Sequence, residues 1–151
     1  MLLARFSYAF VQPEGSMYPP ILDLKLLDGP VTVDGAGGPV TLVPFGVEHG
    51  RIEALGFRIG GLAYLPDVSA IPDAVWPMLE NLDILILDAL RRTPHPTHAH
   101  LAQSLAWIER LAPRLGVLTN MHNDLDYATL TTELPPNVIP AFDGLALELP
   151  G

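Results

Sequence analysis

The spacing of apolar positions changes character along this chain. In Ile21–Leu27 apolar and charged residues largely alternate, close to the two-residue period of a half-buried strand. Val31–Val33 predicts a short strand before the turn Asp34-Gly-Ala-Gly-Gly38. Val40–Glu48, Ala54–Ile59 and Leu62–Leu65 are β-rich, and Gly60-Gly61 between the last two reads as a two-residue hairpin turn. Beyond residue 70 helical spacing enters. Ile71–Leu79 fits a short helix introduced by Ser69 or Pro72. From His98 to Ala112, Leu101, Leu105, Ile108 and Leu111 mark a helix, with Thr97 as N-cap and Pro113 as its end. Leu82–Leu87 is an almost unbroken apolar run ending at Asp88, which predicts a central strand covered on both faces. Val117–Thr119 predicts another buried strand and residues 126–133 a short helix. Val138–Ile139 and Leu145–Leu149 are expected as strands around the turn Asp143-Gly144. Residues 1–20, with Pro13-Glu-Gly15 and Tyr18-Pro-Pro20, read as loop.

Strands first, then strand–helix–strand–helix–strand, is the order of an α/β or α+β layered domain. The 151 residues suffice for one domain with a real core, and a mean hydropathy of +0.31 with 49% hydrophobic residues excludes disorder. No apolar run approaches the ~20 residues of a membrane helix. The N-terminal stretch makes a poor signal peptide, because it lacks a basic start and a long apolar core. A cytoplasmic location is the expectation. Cysteine is absent, so disulfides, thiolate metal sites and cysteine nucleophiles are excluded. A net charge of −9 and a pI near 4.7 argue against long duplex nucleic acid as a partner. A small anionic substrate remains compatible if metal ions supply local positive charge.

The chemistry rests on histidine. Of five, His95, His98 and His100 fall in one short cluster, His122 lies near Asp124 and Asp126, and His49 precedes Gly50 at a strand end. Asp67 and Asp88 also follow strands. Imidazole and carboxylate delivered at one end of several strands form a plausible oxygen and nitrogen donor set for zinc, manganese or iron. Each residue has a plainer reading too. His49 fits a turn, Asp67 a helix cap, His95 a structural or exposed position, His98 and His100 a helix surface, and Asp124 or Asp126 a cap. No local pattern is as specific as His-Glu-x-x-His.

Together the segments are more specific. His49-Gly50, Gly56-Phe-Arg-Ile-Gly60, Tyr64-Leu-Pro-Asp67, Leu87-Asp88-Ala-Leu-Arg91, His95-Pro-Thr-His98, Thr119-Asn-Met-His122-Asn-Asp124 and Ala141-Phe-Asp143-Gly144 resemble the metallo-β-lactamase-fold hydrolases. The closest branch holds the phosphoribosyl cyclic phosphodiesterases, relatives of the tRNA 3′-processing nucleases. The resemblance covers nearly the whole chain. It implies metal-ligand roles for His49 and Asp67, and for His98 the protonation of a leaving group. The late histidine ligand of the family falls at Asn120 here, so His122, two residues on, is expected to take over. The family's His-x-His-x-Asp-His signature is missing, and no histidine precedes His49. What is matched resembles the C-terminal half of an αββα sandwich, a partial fold. The resemblance therefore implies a truncated phosphodiesterase-type hydrolase of a small phosphate ester, weakly active or inactive alone, with at most one zinc or manganese held weakly. The alternative is a non-catalytic assembly or binding module. A half-sandwich would bare an apolar sheet face, so a homodimer or an N-terminal partner segment is expected.

Overall fold

A computed structural model describes residues 2–149; Met1, Pro150 and Gly151 lie outside them. Seven strands stand in sequence order in one sheet: β1 (Val31–Gly35), β2 (Gly38–His49), β3 (Ile52–Ile59), β4 (Leu62–Leu65), β5 (Ile84–Asp88), β6 (Leu115–Thr119) and β7 (Val138–Pro140). The first four are antiparallel, and β4 to β7 are parallel. Long β2 serves two partners. Gly38–Leu42 pair with β1, and Val43–His49 with β3, so the β1–β2 hairpin projects beyond the rest. The β3–β4 turn is the expected two-residue one, with Gly60 at φ +57°. Parallel neighbours need crossovers. The 3₁₀ segment Asp73–Leu79, α3 (Leu101–Leu111) and α4 (Tyr127–Glu133) supply them.

All three crossovers pack on one face. Phe45, Val47, Ala63, Leu65, Leu85, Leu87, Leu118 and Val138 meet Val75, Leu79, Leu101, Ile108 and Leu130 there in one core. Gly116 is needed because a β-carbon would collide with Ile108 of α3. Trp76 and Trp107 stack edge to face and join the 3₁₀ segment to α3. The pairing registers put Phe57, Tyr64, Ile86, Val117 and Ile139 in one row of the opposite face, and Ile59, Leu62, Ile84 and Leu115 in the next. Among the described residues no helix packs substantially on that face. Ile84 and Val117 are buried, but the flanking residues are only half-buried or, like Tyr64, exposed. Leu82–Leu87 thus has helices on one side, while on the other Ile84 is buried and Ile86 half-buried, so the expected cover of both faces is met in part.

Four local expectations change. Ile21–Leu27 forms no strand and is exposed, because apolar alternation makes a strand only where another strand offers a ladder. The same holds for Leu145–Leu149, which follows the three-residue β7 without pairing. The N-terminal stretch contains two one-turn helices, α1 (Leu2–Arg5) and α2 (Ser7–Phe10), that pack chiefly on each other. The major helix begins at Leu101, not 98. His100 is its N-cap, its Nδ1 accepting the Gln103 amide at 2.9 Å, and Thr97 is left in the preceding loop. Asp126 does cap α4, accepting from the Thr129 amide and hydroxyl, and these bonds hold its carboxyl below the usual range.

Gly56 offers a direct test of the core. The Phe45 ring lies across it on the neighbouring strand, where a β-carbon would overlap the ring. Gly56→Ala is expected to destabilise the fold by about 1–3 kcal/mol, as overpacking does. Urea unfolding should show a lower midpoint with an unchanged slope.

Candidate metal centre

Strand direction brings the site together. β2 runs antiparallel to β3 and β3 to β4, so β2 points the same way as β4, β5 and β6. The exit of β2 at His49 thus lies at the same end of the sheet as the residues following Leu65, Asp88 and Thr119. This is the carboxyl end of the parallel strands, where α/β sheets assemble their sites.

His49, Asp67 and His98 meet there. One ligand atom from each lies within 4.8 Å of the others. The His49 and His98 rings touch edge to face, with centroids 4.6 Å apart. Asp67 is half exposed, with Oδ1 3.9 Å from His98 Nδ1. Each imidazole is tethered through Nδ1. His49 Nδ1 lies 2.7 Å from the Thr97 carbonyl, which can only accept, so the nitrogen carries the proton. His98 Nδ1 lies 2.7 Å from Oδ2 of Asp88. Both tethers leave Nε2 as the free nitrogen, the second-layer arrangement that orients metal-binding histidines. Two imidazoles and a carboxylate suit a divalent metal such as zinc, so the residues present fit one.

Asp88 is fully buried and carries the most connections. Its Oδ2 accepts from the Val68 amide at 3.2 Å and from His98, and Oδ1 accepts from Asn120 Nδ2 at 3.3 Å. Its backbone carbonyl accepts the Ser104 hydroxyl at 2.6 Å. Burial pushes its carboxyl above the usual range, against the opposing pull of His98 and the Val68 amide. Sequence reasoning noted Asp88 as a strand end but gave it no role. The signal was the ionisable residue closing an unbroken apolar run.

Asn120, where the resemblance expects histidine, sits at this cluster with φ +59°. Its Nδ2 is 3.3 Å from the Pro66 carbonyl, from Asp88 Oδ1 and from His98 Nδ1. His122 is not brought to the group. Its ring is largely exposed and its Nδ1 lies 3.5 Å from Asp124. His95 lies beside His98, at 5.3 Å between centroids, with Nδ1 accepting weakly from the Thr97 amide at 3.4 Å. Desolvation, then Arg91, holds the His95 ring below the usual imidazole range. His100 is occupied as the cap of α3.

A mixed sheet with helices on one face and histidine and aspartate at its strand exits defines a metallo-β-lactamase-like fold. Residues 1–121 match the family described as the beta-lactamase superfamily domain, and the chain belongs to it. It is similar to a solved diphosphatase from the PhnP family, at 35% identity and a TM-score of 0.84, over 99% of this chain and 54% of that one. It shares the fold of YhfI from Bacillus subtilis, a metallo-β-lactamase fold protein, at 21% identity and a TM-score of 0.62, over 78% of this chain and 52% of that one. A protein of Porphyromonas gingivalis named octanoyltransferase is 29% identical over 133 residues, which are 85% of this chain and 26% of that protein. The chain thus spans about half the length of the solved structures and a quarter of the curated relative. Among the described residues no helix is long and apolar enough to cross a membrane.

Proposed function

We propose that this chain provides part of the metal site of a hydrolase acting on a small phosphate ester or anhydride. The observation that carries this reading is the His49–Asp67–His98 group, with both imidazoles held through Nδ1. The similarity to a diphosphatase supports phosphorus as the centre attacked. His49 and Asp67 would hold zinc or manganese. When bound, the metal supplies Lewis acidity toward phosphoryl oxygens and toward water. Asp88 keeps the His98 proton on Nδ1 and balances an imidazolium, so His98 can give a proton from Nε2 to a leaving oxygen. A second reading makes His98 the third ligand, favoured by its place within 4.8 Å of both others. His98→Ala separates the two. A proton donor's loss slows turnover most for poor leaving groups and spares metal affinity, whereas a ligand's loss removes the metal.

The sheet face without a packed helix, where most residues are only half-buried, supports association with a second copy or a further segment. Purified chain titrated with zinc is expected to bind no more than one equivalent and to cleave bis-p-nitrophenyl phosphate slowly, with loss of both in His49→Ala. Zinc binding without cleavage would favour the assembly-module alternative. Absence of zinc binding would defeat the hydrolase reading.

A further inference from the structure

Immediately after His49, the β2–β3 turn presents Arg51. With His49, Gly50, Ile52, Pro96 and Thr97 it lines an open, largely apolar groove of about 480 Å³ beside the metal group. No carboxylate lines this groove. Among the described residues Arg51 makes no hydrogen bond or ion pair, unlike the other arginines of the folded body. Arg58 holds the carbonyls of Gly60, Met78 and Glu80, and Arg91 those of Thr93 and Pro94. Arg92 pairs with Glu133, Arg114 lies 3.9 Å from Asp83, and Arg110 stacks over Trp76. Glu48 and Glu53 line an adjoining cleft that shares Gly50, Arg51 and Ile52 with the groove, and neither carboxylate lies within 4.0 Å of the Arg51 guanidinium. The turn also keeps its shape for a reason. Gly50 has φ +66°, its amide donates to Ser69 Oγ, and a β-carbon would strike the Thr97 side chain.

We propose that this groove is an anion subsite for the second phosphoryl group of a diphosphate substrate. The first phosphoryl lies at His49, Asp67 and His98, so the assignment rests on the hydrolase reading. An unpaired guanidinium offers a planar fork matched to phosphate oxygens. In a chain of net charge −9, an uncommitted cation beside an anion-handling site is a selective feature. Arg51 is exposed in a turn, so its replacement leaves the core untouched.

Calorimetric titration of zinc-loaded chain with inorganic pyrophosphate and with inorganic phosphate tests the assignment. Wild type should bind pyrophosphate more tightly than phosphate. Arg51→Gln should weaken pyrophosphate binding about tenfold, the scale of one charge-assisted hydrogen bond, and leave phosphate binding nearly unchanged. Arg51→Lys should recover part of the loss. Equal effects on both anions, or none, would overturn the subsite and leave the hydrolase reading standing. Failure of zinc-loaded wild type to bind either anion would overturn both.

Discussion

His49→Ala and Asp67→Asn are each expected to abolish zinc binding while leaving the fold intact. His49 offers its Nε2 because its Nδ1 is committed to the Thr97 carbonyl. Asp67 supplies the one half-exposed carboxylate of the group. Losing an outer partner of a metal ligand typically costs about 10- to 100-fold in affinity, so losing a ligand from a set this small should cost more. Competition against a chromophoric zinc chelator measures it. His122→Ala, altering an exposed ring paired only with Asp124, should leave zinc affinity unchanged. A large loss in that variant would restore the ligand role that the sequence reading assigns to His122. Unaltered affinity in both His49→Ala and Asp67→Asn would move the metal elsewhere.

Asp88→Ala is expected to cost about 2–4 kcal/mol of stability, because it strips a partner from the Val68 amide, His98 and Asn120 within the protein interior. Asp88→Asn should cost less but act on the metal. An amide presents either its NH2 or its oxygen to His98. With NH2 facing the ring, the proton moves to Nε2 and the free nitrogen is lost to the site. If His98 is a ligand, zinc affinity should fall roughly 10- to 100-fold. The pH dependence follows from the raised carboxyl of Asp88. Between its ordinary value and its raised one, the folded state holds a proton that the unfolded state has released. That contribution to stability is full below the ordinary value and is lost as pH rises through the raised one. The stability advantage of wild type over Asp88→Asn should therefore narrow as pH rises across this window. Urea unfolding at a series of pH values would show it, and a widening gap would refute the assignment of the buried carboxyl.

Much of the scaffold was legible from local pattern. The β-rich runs Val40–Glu48 and Ala54–Ile59, the Gly60-Gly61 turn, the apolar run into Asp88 and the helical spacing of Leu101, Leu105 and Ile108 each depend on residues close in sequence. The structure bears all of them out. Ile21–Leu27 and Leu145–Leu149 carry the same kind of pattern and form no strand, because alternation selects a face but cannot supply a pairing partner. The delivery of His49, Asp67 and Asp88 at strand ends was likewise readable. Which of them would meet was not. That depended on β2 running the same way as β4, on Thr97 reaching back 48 residues to His49, and on Asp88 being buried where it grips His98 and Asn120. It also placed His98 inside the group and His122 outside it. Sequence alone determined which donors stand at strand exits. Strand direction and long-range hydrogen bonds decided which ones share a site, because those are relations between segments and no window along the chain contains them.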